Sequence, residues 1–133
     1  MSQPISKHLC PFTEEAYVHA VHVFNSQQWH AAHDLFEELW YEASGDLREL
    51  LQGIIQISVA EYHLDNGNKK GSILLMAEGL NHLNTSDSFV TGYDLDRLRK
   101  VVSQRLSALQ NQLDPNDPTV PRPSLIKTSP IGL

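Results

Sequence analysis

The chain has 133 residues, of which 41% are hydrophobic and 20% charged, and its formal net charge is −6. That length holds one hydrophobic core rather than two, and that composition excludes wholesale disorder. Basic residues gather only at Lys69-Lys70 and around Arg97, Arg99 and Lys100, which argues against nucleic acid as a partner.

Residues 1–12 carry Pro4 and Pro11, show no period and read as an irregular lead-in. They lack the apolar stretch of a secretory signal, and no apolar run is long enough to span a bilayer. Cys10 is the single cysteine, which excludes an intramolecular disulfide and a C-x-x-C motif. A reducing, aqueous compartment is therefore expected, namely the cytoplasm, with no membrane partner. Asn84-Thr85-Ser86 matches the glycosylation pattern, which carries no weight without a secretory signal.

Thr13 is placed to cap a first helix, with Glu14 and Glu15 in its opening turn. Tyr17, Val21 and Phe24 recur on one helical face, and Asn25-Ser26 ends the helix. The second helix is expected from Trp29 to Ala43, with Ala32, Leu35, Phe36, Leu39 and Ala43 inward and Glu38 and Glu42 wet. Gly45 breaks the chain, and Asp46-Leu47-Arg48-Glu49 resembles a capping box. The third helix is apolar over most of its circumference, from Leu50 to Leu64, so other helices should surround it. Asn66-Gly67 stops it. Asn68 then caps a fourth helix bearing Ile73, Met76, Ala77, Leu80 and Leu83. A loop follows over 85–93, and Asp94 caps a fifth helix with Leu95, Leu98, Val102, Leu106, Leu109 and Leu113 on one face. Gly53, Gly71 and Gly79 inside helices imply close backbone approach rather than phosphate binding.

From Asp114 the composition changes, since five of the seven prolines lie between 115 and 130. This tail cannot be helical. It is either extended and packed, with Leu125, Ile126, Ile131 and Leu133 as anchors, or disordered, and disorder is the favoured expectation. The expected organisation is an all-α bundle of about five helices over 1–113 in antiparallel hairpins, with a proline-rich tail over 114–133.

Chemistry is expected between the second and third helices. His30, His33 and Glu37 share one stripe of the second helix, bordered by Trp29, Phe36 and Trp40. Glu49, Gln52, Gln56 and His63 form one line on the third. A buried polar group without a partner costs about 1–3 kcal/mol, so the two stripes are expected to face each other. A turn near 44–46 pairs residues whose numbers sum to about 90. His33 then lies opposite Gln56, and His63 lies about 9 Å further along the axis. Three readings stay open: a hydrogen-bonded seam that fixes helix register, a ligand pocket lined by His33, Glu37, Gln52, Gln56 and His63, or a divalent metal bound by His33, Glu37 and His63. H-x-x-x-E is a weak metal signal and lacks the second histidine of H-E-x-x-H. No phosphate loop, dinucleotide turn or serine-nucleophile elbow occurs.

The stretch from Phe24 to Leu75, FNSQQWHAAHDLFEELWYEASGDLRELLQGIIQISVAEYHLDNGNKKGSILL, resembles the family called domain of unknown function 309. The resemblance rests on Phe24, Asn25, His33, Glu37 or Glu38, Trp40, Gln52, Gly53, Ile55, Gln56, His63, Gly67, Asn68 and Gly71. It places the family-like core over 24–83 and implies a compact helical bundle with no established activity. Some relatives carry a metal-dependent hydrolase label, for which the His/Glu/Gln/His set is the visible basis here. Where relatives show Gly-Ala, this chain has Gly71-Ser72. The sequence thus leads to a helical-bundle protein with a polar seam or pocket. The alternatives are a metal-dependent hydrolase using His33 and Glu37, and an interaction module of helical hairpins. No 34-residue self-similarity supports a repeat array. A tail docked on a second subunit would make a homodimer.

Overall fold

Five helices follow one another in the computed structural model, which describes residues 11–86 and 91–128: α1 (Glu15–Asn25), α2 (Trp29–Glu42), α3 (Gly45–Asp65), α4 (Lys69–Thr85) and α5 (Leu95–Gln110). They make an all-α bundle, and no strand occurs among the described residues. Cys10 with the lead-in before it, residues 87–90 of the expected loop, Ile131 and Leu133 lie outside the described residues.

The helix ends follow the local chemistry closely. Asn68 accepts a hydrogen bond from the Gly71 amide at 2.9 Å, and Asp94 accepts one from the Arg97 amide at 2.9 Å, so both expected caps form. Thr13 is not the cap of α1. A 3-10 turn over Pro11–Thr13, closed by the Glu14 amide on the Pro11 carbonyl, moves the cap position to Glu14. The start of α3 likewise shifts to Gly45, with Ser44 at the cap position.

Phe24, Trp29 and Phe36 meet edge to face, with ring centroids 5.2 Å and 6.2 Å apart. They are the aromatic centre where α1 meets α2. Trp29 and Phe36 therefore belong to the core rather than to a pocket wall. The third helix buries Leu50, Leu51, Ile54, Ile55, Ile57 and Ala60, as its nearly all-round apolar surface requires, and lies between α2 and α4. The α3–α4 crossing is close. A Cβ on Gly53 would sit 3.0 Å from the Gly79 carbonyl oxygen, and one on Gly79 would sit 2.8 Å from Ile57 Cδ1.

Residues 114–128 are ordered along the bundle. Val120 and Leu125 are buried while Ile126 is exposed. Asn25 clasps the segment with its carboxamide, donating to the Leu125 carbonyl at 2.9 Å and accepting from the Leu125 amide at 2.7 Å. Further along, the Asp94 amide donates to the Ile126 carbonyl and the Thr128 amide to the Gly92 carbonyl. Proline removes helical options but leaves carbonyls free to accept, and the bundle supplies the donors.

The deepest of those donors is Arg105. It is 1% exposed, as is its partner Glu61 in α3. Its Nε and Nη2 grip the two carboxylate oxygens at 2.5 and 2.8 Å, and Nη1 donates to the carbonyls of Pro115 and Pro121 at 3.1 and 3.2 Å. Burial pushes the Glu61 carboxyl above its ordinary range, while the hydrogen bonds from Arg105 pull against that rise.

Candidate functional site

The polar line of α3 turns mainly toward α4. Glu49 accepts at Oε2 from His82 Nδ1 at 2.5 Å and from Thr85 Oγ1 at 2.8 Å, both in the last turn of α4. About two turns further along α3, Gln56 Nε2 donates to Glu78 Oε1 at 3.2 Å. The expected match between the polar stripes of α2 and α3 is thus corrected for Glu49 and Gln56. The reason is angular. Successive residues step about 100° around a helix, so Gly53, which touches the α4 backbone, lies within about 40° of Glu49. Side chains that close to a glycine–glycine crossing reach the helix on the other side of it. The Asn66-Gly67 turn carried the signal, because register about that turn pairs Glu49 with residues near 84.

On α2 the stripe pairs within itself. His33 Nδ1 lies 3.1 Å from Asp34 Oδ1, and His33 Nε2 lies 3.7 Å from Glu37 Oε2. His30 Nδ1 lies 3.5 Å from Asp34 Oδ2. Glu37 keeps a side-chain exposure of 43%, so it is a surface neighbour of His33. The α2–α3 register itself is as expected, with His30 against Tyr62 at 5.3 Å between ring centroids and Trp40 against Arg48.

Two cavities open along this hairpin. The smaller, about 210 Å³, is lined by His30, His33, Val59, Tyr62 and His63. His33 and His63 therefore line the same cavity, while Glu37 is not part of it. Asn68 Nδ2 lies 3.5 Å from His63 Nδ1. Among the described residues, no group of three or more His, Cys, Asp or Glu side chains is arranged to hold a metal ion; His33, Glu37 and His63 do not form one.

The larger cavity, about 310 Å³, lies where α2, α3 and α4 meet and is lined by Trp40, Gly45, Arg48, Glu49, Gln52 and His82. Its volume falls at the lower end of small-molecule sites, which span about 300–1,000 Å³. Arg48 lies over the Trp40 ring, 3.8 Å from its centroid, a cation–π contact that fixes a long side chain. His82 is held by Glu49 through Nδ1, which leaves Nε2 as its second ring nitrogen for a ligand. The hydrogen bond from His82, followed by that from Thr85, holds the Glu49 carboxyl below its ordinary value of 4.5. Of the residues singled out in sequence, Gln52 and Trp40 belong to this cavity. Arg48 and His82 were not in the expected constellation, and Glu49 entered it with the wrong partner helix.

The model of a family described as Domain of unknown function (DUF309) matches residues 17–75. The match takes in most of α1, all of α2 and α3 and the first part of α4, so the resemblance carried by the Phe24–Leu75 stretch is shown over that segment. The family description names no activity. Trp40, Arg48, Glu49 and Gln52 lie inside the matched segment, and His82 lies beyond it. No curated protein matches the chain.

Proposed function

We propose that this protein binds a small polar molecule in the cavity between α2, α3 and α4, and that His82 exchanges a proton with it. The observation that carries the reading is the contact of His82 Nδ1 with Glu49 Oε2 at the cavity wall. A carboxylate that accepts at Nδ1 holds the imidazole in one tautomer and one orientation, leaving Nε2 as the acceptor. Gln52 and Arg48 add hydrogen-bonding groups on the same wall, and Trp40 adds an apolar face.

A metal-dependent hydrolase using His33, Glu37 and His63 has less support, since those side chains are not gathered into a ligand set. The interaction-module reading has less support as well. Among the described residues the large exposed apolar side chains Val18, Tyr41, Tyr62, Leu74, Leu113 and Ile126 are spread over α1, α2, α3, α4 and the segment after α5, and singly placed ones require no partner. No helix among the described residues is long and apolar enough to cross a membrane. Within this reading the protein works in the cytoplasm, where a chain with one cysteine needs no disulfide.

The test is a screen of small polar fragments by ¹⁵N NMR on the full chain, with imidazole nitrogen shifts read at about pH 8. Hits should move Trp40, Gln52 and His82 together, and His82 should show the Nδ1–H tautomer. In Glu49→Gln the tautomer preference should weaken and the hits should bind less tightly. Fragments that move only His30 and Tyr62, or a His82 in the Nε2–H tautomer, would sink the reading.

A further inference from the structure

The chemistry of the cavity wall narrows the class of ligand, given that this cavity is the binding site. Three polar groups there have no hydrogen-bond partner among the described residues: the Arg48 guanidinium, the Gln52 carboxamide and His82 Nε2. The Arg48 N–H groups and the Gln52 amide nitrogen are donors, His82 Nε2 is an acceptor in the tautomer that Glu49 sets, and Glu49 takes two hydrogen bonds at its Oε2. The wall therefore presents free donors more than free acceptors.

Arg48 sets the geometry. Its guanidinium lies 3.8 Å over the Trp40 ring, so the indole covers one face of the group. The five N–H donors of a guanidinium point outward in its plane, and stacking leaves that edge open. A planar group with two acceptor oxygens matches such an edge bidentately, and a carboxylate does so with two charge-assisted bonds.

Charge sets the limit. Arg48 and Glu49 are the only residues lining the cavity that carry a formal charge with His82 neutral. One negative charge on the ligand can pair with Arg48, while a second would meet Glu49 with no cation left to balance it. A dianionic phosphate or a dicarboxylate is disfavoured on that ground. A neutral amide has the same outline as a carboxylate but replaces one acceptor by a donor facing the guanidinium.

We propose that the cavity selects small organic monocarboxylates, with Arg48, braced on Trp40, holding the carboxylate and the Gln52 amide nitrogen donating to it from α3. Arg48 is then a specificity-determining residue.

Three probes applied to the full chain decide the matter: acetate, its neutral isostere acetamide, and inorganic phosphate. Binding is read from the Arg48 Nε–H, Trp40 indole N–H and Gln52 side-chain signals. Acetate should shift all three saturably, and acetamide and phosphate should each bind at least about tenfold more weakly, the scale of a charge-assisted hydrogen bond. Arg48→Gln should weaken acetate by about tenfold or more. Arg48→Lys, which keeps the charge but loses the planar fork, should also bind more weakly than the native chain. Arg48 is exposed, so both variants should melt as the native protein does. Acetamide binding as tightly as acetate, phosphate binding more tightly, or Arg48→Gln binding undiminished would each overturn the carboxylate assignment. If polar fragments occupy the cavity and acetate does not, this inference alone fails. If neither does, the site reading falls with it.

Discussion

Replacing Arg105 by methionine keeps much of the side-chain volume but removes both hydrogen-bond donors that Glu61 uses. The Glu61 carboxyl, 1% exposed, is then left in the core without a cation. The carbonyls of Pro115 and Pro121 lose their shared donor in the same step. Breaking a buried ion pair from one side costs about 3–5 kcal/mol, out of the roughly 5–15 kcal/mol that stabilises a domain. Burial already holds the Glu61 carboxyl above its ordinary value. In Arg105→Met it therefore takes up a proton rather than staying charged, which favours the lower end of that range. The double change Glu61→Leu/Arg105→Met exchanges the pair for apolar volume and should cost clearly less than the two single changes added together. Urea unfolding followed by circular dichroism reads each loss as a shift in midpoint at constant slope. A loss under about 1 kcal/mol for Arg105→Met, or an additive double variant, would refute the reasoning that the two side chains form one buried unit.

Gly79→Ala should destabilise by about 1–3 kcal/mol, because its Cβ meets Ile57 Cδ1 at 2.8 Å and the Gly53 carbonyl oxygen at 3.1 Å; thermal melts comparable with the native chain would show that the α3–α4 crossing can relax. Asn25→Ala removes both hydrogen bonds to Leu125, at about 1 kcal/mol each. Limited trypsin digestion should then cut faster after Lys127, and an unchanged rate would mean that the tail is held by other contacts. Two carboxylates should shape acid stability in opposite directions. Glu49, lowered from 4.5 by hydrogen bonds from His82 and Thr85, contributes stability that is present above that value and lost as pH falls through its folded value. Glu61, raised from 4.5 by burial against the pull of Arg105, contributes stability that is full below that value and lost as pH rises through its folded value. Melting temperature against pH should flatten below 4.5 in Glu49→Gln and above 4.5 in Glu61→Gln, and an unchanged profile in either variant would count against its assignment.

Much of the candidate site was legible as residue type and much less as partnership. Trp40 and Gln52 stood out in the sequence as a bordering aromatic and a polar residue on an apolar helix, and both line the larger cavity. His33 and His63 also stood out and line the smaller one. Arg48 looked like part of a capping turn, and His82 lies on a helix outside the expected pair. Neither position alone shows that Arg48 stacks on Trp40 or that His82 meets Glu49. Arg105 falls on the same face as Leu98, Val102 and Leu109, all buried, which marks it as an inward charge without naming its partner.

The sequence by itself determined the five helices, their caps at Asn68 and Asp94, and the inward faces of Tyr17, Phe24, Phe36 and the α3 isoleucines. Periodicity, turn chemistry and capping act within about one helical turn of the residue concerned, so a linear chain displays them directly. The tertiary structure alone decided that the α3 polar line serves α4 and that residues 114–128 are strapped across the bundle by Asn25 and Arg105. Periodicity places a side chain on a face of its own helix but does not identify the neighbour beyond that face. That choice belongs to close approach, here of Gly53 and Gly79, and to donors and acceptors that are tens of residues apart in sequence yet adjacent in the fold.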